Sequence, residues 1–316
     1  MKKLSLLLTT LLVTFFLSFS EEIKLNEEHN YFEITNKSLT EFSFVNNFSG
    51  LDAKLIKIKE GDFIKLFVGG YAANSDYGKA ELPELKKLFR IPYSAEVVFK
   101  IVNKEEQLIS LSDYGITLPI FPNQPSISKG DNAKDVPFIY DRDFYQINQF
   151  SENPIVTIDV LGKMRGQEMA RLNISPFSYN PVTNELKIIS KIEVKILFKN
   201  ADYERDLAIR KQYFNPNFEH QFKQFVNYLP LPTKDVITTY PIKYVIIADS
   251  MFQSTLQPFV EWKTKKGFEV VEGYTNDPAV GSTTTSIKAF IKNMYDNATV
   301  NDPAPTYLLI VGDEAQ

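Results

Sequence analysis

Asp249 and Asp313 are the residues best placed to do chemistry. Asp249 follows the apolar run Tyr244-Val245-Ile246-Ile247-Ala248, and Asp313 follows Tyr307-Leu308-Leu309-Ile310-Val311-Gly312. If these runs are parallel strands, both carboxylates stand at carboxyl ends, the side of an open parallel sheet where ligands gather. A carboxylate there can bond loop amides, hold a metal or position a base. Bonding to local backbone is its commonest use. Asp141-Arg142-Asp143, with Glu152 at the twelfth place, imitates a calcium loop more faintly. Its sixth place is Gln146 and its fifth Tyr145. The sharp turn of such a loop depends on glycine at the sixth place, so an exposed acidic turn is the reading.

Much other chemistry has no support. The chain contains no cysteine, which removes thiol nucleophiles and cysteine metal sites from these residues. Its two histidines, His29 and His220, have no plausible co-ligand nearby in sequence. There is no Gly-x-Gly-x-x-Gly after the first strand of the second region, no phosphate loop, no His-Glu-x-x-His and no Gly-x-Ser-x-Gly. Phe259 and Trp262 share a helix face and read as helix-to-sheet packing rather than a binding platform.

The elements that must position the two aspartates alternate in type. Tyr244 to Ala248 is a continuous apolar strand of the kind covered on both faces. A helix follows to about Lys266, begun either by a Ser254–Gln257 capping box or by Gln257 with Pro258 at the first helical position. Lys263, Lys265 and Lys266 suit its negative end, and Gly267 supplies a left-handed stop. Phe268 to Val271 is a second strand. Ile287, Phe290, Ile291, Met294 and Tyr295 mark one stripe of a second helix, and Tyr307 to Val311 is the third strand. Strands alternating with helices of this length imply right-handed βαβ units and a parallel sheet. The last strand is apolar on both faces and calls for further neighbours, from more polypeptide or a partner.

The preceding region reads as β. In Leu186 to Phe198, residues Leu186, Ile188, Ile192, Val194, Ile196 and Phe198 fall on one face. Lys187, Lys191, Glu193 and Lys195 fall on the other, with Ile189 and Leu197 as exceptions. Phe63 to Val68, Ala95 to Val102 and Pro154 to Val160 are further strand candidates, and 119–134 is a loop. One-sided alternation predicts an antiparallel sandwich or barrel-like unit. Ala201 to Tyr228 turns helical and charged, and the prolines of Leu229-Pro230-Leu231-Pro232 mark an extended connection. The expected division is a signal peptide at 1–20, a β-rich pro-region at 21–228, a linker at 229–241 and the first part of an α/β domain at 242–316.

At 316 residues there is room for two ordinary cores. The formal net charge of -4, with both signs interspersed, gives no footprint for nucleic acid. Lys2-Lys3, the apolar run Leu4 to Leu17 and the small residues of Ser18-Phe19-Ser20 have the order of a secretory signal cut after Ser20. The run is short for a membrane span, and no later stretch is long enough, so an exported protein without a transmembrane span in the mature chain is expected, with an uncut membrane anchor as the alternative.

Three stretches together resemble one family. Leu256-Gln257-Pro258-Phe259-Val260-Glu261-Trp262-Lys263, continuing to Lys266-Gly267-Phe268-Glu269-Val270, resembles the first helix and second strand of gingipain-like cysteine peptidases. Tyr307 to Asp313 resembles the next strand and its Val-Gly-Asp turn, and Ile287 to Tyr295 fits the intervening helix. Ala80-Glu81-Leu82-Pro83-Glu84-Leu85 through Ile91-Pro92 is similar to the start of that family's pro-region.

The resemblance implies a secreted or cell-surface zymogen. In it a β-rich pro-region has its own caspase-like α/β catalytic domain as partner, and the full-length enzyme cleaves protein or peptide substrates. It implies a Cys nucleophile and a His base downstream of the Val-Gly-Asp turn, so no catalytic residue is assigned in this chain. It also implies a structural calcium ion with Asp313 among its ligands. Arg210-Lys211 and Lys234 are basic candidates for the activating cut. The alternative is a non-catalytic surface or secretion module, adhesive or sortase-related, built on the same fold.

Overall fold

The computed structural model describes residues 20–132, 135–231 and 242–312. The expected signal sequence before Ser20, the linker beyond Leu231 with Lys234, and Asp313 lie outside the described residues.

Strand alternation builds the first region. β1 (Ser20–Lys24), β4 (Gly50–Ile58) and β5 (Gly61–Phe67) form one antiparallel sheet in the order β1-β4-β5. β6 (Ala72–Ala73), β7 (Pro83–Ile91), β9 (Val156–Met164) and β10 (Gln167–Ile174) form another in the order β6-β7-β10-β9. The third sheet centres on β12 (Glu185–Lys199). One side of β12 pairs with β8 (Glu96–Ser110), the other with β11 (Phe177–Asn180) and then β3 (Glu41–Asn47), which is followed by β2 (Tyr31–Lys37). A short helix, α1 (Arg142–Gln146), starts at Asp141, whose carboxylate accepts from Phe144 N at 2.9 Å. Asp141, the first place of the calcium-loop imitation, is thus a helix cap.

β12 is buried on the residues its alternation selects, but these line two cores rather than one. Leu186 and Ile188 join Ile23, Phe48, Ile64, Phe177 and Tyr179. Ile189, Ile192, Val194, Ile196 and Phe198 join Phe42, Phe44, Phe89, Leu172 and Ile174. Successive side chains of a strand point to opposite faces, and an inserted residue resets that phase. The pairing with β8 shifts between Ile189 and Lys191, which makes Ser190 the inserted residue. Ile189 is therefore no exception to the pattern; it is the first residue of the second core. Each fully buried Phe, Leu or Ile in these cores contributes roughly 1.5–3 kcal/mol. On the wet face Lys195 meets Glu41 at 2.8 Å across the strands.

Helices α2 (Tyr203–Gln212) and α3 (Pro216–Phe222) close this region. Asp202 caps α2 by accepting from Arg205 N at 2.9 Å, and Asn215 caps α3, with Pro216 in its first turn. α2 is charged because its buried face is polar. Arg90 Nη1 of β7 donates to Asp206 Oδ1 at 2.6 Å, and Arg210 Nη2 donates to Leu229 O. The segment after α3 is bound back onto β7, where Val226 N donates to Leu88 O at 2.9 Å. Asn227 exchanges hydrogen bonds with both backbone groups of Arg90. Arg210 is 8% exposed inside an intact helix, so Arg210-Lys211 is not presented as a surface cut site.

The second region is a three-stranded parallel sheet, order β14-β13-β15, from β13 (Ile242–Ala248), β14 (Phe268–Tyr274) and β15 (Tyr307–Val311). The fold is thus a β-rich antiparallel region followed by a parallel α/β one. α4 (Gln253–Lys265) follows β13, and α5 (Thr284–Asp296) follows β14. Neither expected cap of α4 forms. The helix begins at Gln253, after a 3-10 turn over Ser250–Phe252, and Pro258 lies inside it. Gly267 adopts the left-handed conformation, φ +87°, just past the lysine-rich end. α5 has a capping box of Thr283 and Ser286. Its Ile287, Phe290, Ile291 and Met294 pack on Val245 and Ile247.

Candidate functional site

The described residues frame two places: the carboxyl ends of the parallel strands, and the foot of the same sheet, where the β-rich region meets it.

β13 is central, and the chain leaves it first for β14 and later for β15 on its other side. The crevice at such a switch in strand order is where ligands bind in open α/β sheets. Ala248 pairs with Val311, so Asp249 and Gly312 follow the paired ends of neighbouring strands. This register sets Asp249 and Gly312 on one rim. Asp249 is occupied structurally. Its Oδ1 accepts from Met251 N at 2.8 Å and caps the 3-10 turn, and its Oδ2 accepts from Thr275 Oγ1 at 3.2 Å, joining the ends of β13 and β14. Beside it, burial and then the hydrogen bond to Glu272 push the Tyr274 phenol up to about 12. Both carboxylate oxygens of Asp249 are thus engaged. Among the described residues no group of three or more His, Cys, Asp or Glu is gathered to hold a metal ion. His29 and His220 are both exposed and stand in the β-rich region.

The aromatic residues of α4 face the sheet only in part. Phe259 meets Tyr244 edge-on at 5.9 Å between centroids. Trp262 is 47% exposed, with the Lys263 and Lys266 ammonium groups 4.8 and 4.5 Å from its ring centre. The lysines that suit the helix end thus also cover its indole, a cation-over-ring contact that packing by apolar period does not foresee.

At the foot, the β9–β10 hairpin turns on Arg165 and Gly166, both at positive φ, +51° and +72°. A two-residue turn with two positive φ values matches the right-handed twist of the strands. Gly166 is further required because a Cβ there would lie 2.7 Å from Ile209 and Tyr213 side-chain atoms of the α2 region. The Arg165 side chain is 6% exposed and spans the two regions. Its Nε donates to Tyr213 O at 3.3 Å and its Nη1 to Pro305 O, just before β15, at 2.7 Å. The guanidinium lies over Phe218 at 5.0 Å and over Tyr295 of α5 at 5.8 Å. Nη2 is buried with no partner among the described residues. Desolvation holds this guanidinium below its ordinary value, and the facing Tyr295 and Tyr213 oppose that shift.

Around Arg165 the two regions interlock. Tyr213 stacks on Tyr295 at 4.9 Å and 19°. Gln212 Nε2 donates to Ala298 O at 2.9 Å, Asn215 Nδ2 to Thr306 Oγ1 at 2.6 Å, and Asn217 Nδ2 to the Tyr307 hydroxyl at 3.0 Å. These partners lie at the end of α5 and the start of β15, so this contact is at the opposite end of the sheet from Asp249. Tyr295, the last residue of the α5 stripe, faces this contact instead of the sheet core. Nothing in the helical spacing distinguishes it from Met294.

Comparison with known proteins agrees with this division of labour. Residues 25–229 match the C25 propeptide family model, and residues 237–316 match the model of peptidase family C25. Lys-gingipain of Porphyromonas gingivalis is 32% identical over 320 residues, covering 99% of this chain and 18% of that protein. Gingipain R1 of the same organism is 27% identical over 248 residues, 76% of this chain and 23% of that protein. The chain therefore spans less than a fifth of Lys-gingipain's length. A gingipain K structure from P. gingivalis concerned with zymogenic latency aligns with TM-score 0.55 and 32% identity, covering 58% of this chain and all of that one. A complex of P. gingivalis RgpB pro- and mature domains aligns at TM-score 0.50 and 18% identity, over 63% of this chain and 98% of that one, a likeness of fold alone. The chain belongs to peptidase family C25, carrying the family's propeptide and, after it, part of the peptidase unit.

Proposed function

We propose that the full-length protein is an exported precursor of a cysteine endopeptidase acting on protein or peptide substrates. In it residues 1–20 are a signal peptide, 21–228 the pro-region, 229–241 the linker and 242–316 the opening of the catalytic domain. The observation that carries the reading is the tandem match of propeptide and peptidase models along one chain. The sheet supports it: Asp249 and Gly312 flank a switch-point crevice, which further strands and loops would complete with a Cys nucleophile and a His base. Within this chain no residue carries that chemistry; its residues supply the scaffold and the pro-region that contacts it. The pro-region is bound to itself as far as Leu229 through Val226, Asn227 and Arg210, which supports an activating cut in the linker, with Lys234 as the basic candidate. A calcium ion held with the help of Asp313 would be structural.

The test is to express the full-length precursor, cut it in the linker and assay peptide hydrolysis before and after, with and without a thiol alkylating agent. Activity that appears on cutting and is lost on alkylation supports the proposal. A cut protein inert toward peptides of every class overturns it.

A further inference from the structure

Arg165 breaks a local rule, and its side chain shows why. Two-residue turns with positive φ at both places favour Asn-Gly or Asp-Gly, since Asn and Asp tolerate the left-handed region that other side chains resist. Here the first place is an arginine at φ +51°. A residue set against local preference, then buried as a cation, marks a site where something other than the turn is served. The carbonyl of Pro305 and the Tyr295 ring, both in the peptidase-family segment, receive this guanidinium. Tyr213 O and Phe218 hold it from the propeptide side.

We propose that Arg165 is the anchor by which the propeptide grips the foot of the peptidase unit. This rests on the reading of 21–228 as a propeptide. The guanidinium is suited to the task because its planar fork reaches two carbonyls while its face lies on rings, which an ammonium cannot do. The grip acts at the amino ends of the strands and not at the rim of Asp249. Cutting 232–241 removes the covalent tie without touching the anchor.

The test uses the full-length precursor with a specific protease site placed within 232–241. After cutting, size-exclusion chromatography over a dilution series reads the concentration at which the two halves part. Arg165→Asn creates the favoured Asn-Gly turn and deletes the guanidinium. Its halves are expected to part at roughly 10- to 100-fold higher concentration than wild type, the loss expected for charged hydrogen bonds. Its uncut urea midpoint should not fall. Arg165→Lys should also weaken the grip, as should Tyr295→Ala, which leaves the propeptide sequence intact. Wild-type halves that separate at once, or Arg165→Asn halves that stay together to the same dilution as wild type, overturn the proposal. So does an Arg165→Asn urea midpoint that falls while Tyr295→Ala holds as wild type, because Arg165 then serves only the propeptide's own fold. A mature half without peptidase activity would overturn the functional reading and leave this one standing, since holding is measured without substrate.

Discussion

Asp249, Gly166 and Tyr179 each do something that can be tested alone. Asp249 caps the turn after β13 and bridges to Thr275, so Asp249→Ala should lower stability by about 1 kcal/mol in urea titration, the usual worth of a cap. Gly166→Ala should cost about 2 kcal/mol or more, because a left-handed backbone and an overpacked Cβ add together. Tyr179 is fully buried, donates to Asn184 Oδ1 at 3.0 Å, and is pushed up to about 12 chiefly by burial, from an ordinary 10. Its folded-state value exceeds the unfolded one, so the folded chain keeps a proton that the unfolded chain gives up. That contribution is intact below about pH 10 and is lost as pH rises toward 12. Urea midpoints from pH 8 to 11 should fall in the alkaline range, and Tyr179→Phe should flatten the decline; an equal decline in both contradicts the assignment. The capping role of Asp249 was legible in sequence, because a strand-end aspartate before a helix has amides within reach. The roles of Arg165 and Tyr295 were not, because they depend on partners about 130 residues apart that only the packed molecule brings together.

At the scale of elements, β12 and α2 show what periodicity conveys and where it stops. The alternation of β12 named six of its buried residues but not Ile189 and Ser190. The division into two cores depends on a bulge at Ser190, a property of the pairing with β8 that one strand's pattern does not carry. α2 was readable as helical and charged, yet its inward face is an ion pair. Asp206 accepts from Arg90 at 2.6 Å and from Tyr93 N at 3.0 Å. Asp206→Ala should therefore cost about 3–5 kcal/mol, since it leaves a buried arginine uncompensated. A urea midpoint within error of wild type would show that Arg90 finds another partner or water. The start of α4 was misread because Ser254 and Gln257 fit a cap rule that Asp249 satisfies earlier through the 3-10 turn. β15 was readable as a strand, and its Leu308 and Ile310 are 45% and 63% exposed among the described residues.

At the scale of the whole molecule, order of regions and fold class were legible because each region has its own period: two residues in the β-rich part, strand and helix alternating after it. The way the regions meet was not, because Gln212, Asn215 and Asn217 are polar contact residues that look like any solvated helix end. A propeptide precedes part of a peptidase unit, and the two meet at the foot of the parallel sheet. If the full-length protein holds the proposed calcium ion, a chelator should lower the melting temperature of wild type and have less effect on Asp313→Ala; equal shifts would remove Asp313 from the proposed ligand set. The most direct measurement follows peptide hydrolysis and the new amino terminus together as the full-length precursor matures. The account predicts thiol-dependent activity that rises with a cut between residues 232 and 241. Activity that rises with a cut inside α2, or a cut in 232–241 that releases no activity, would contradict it.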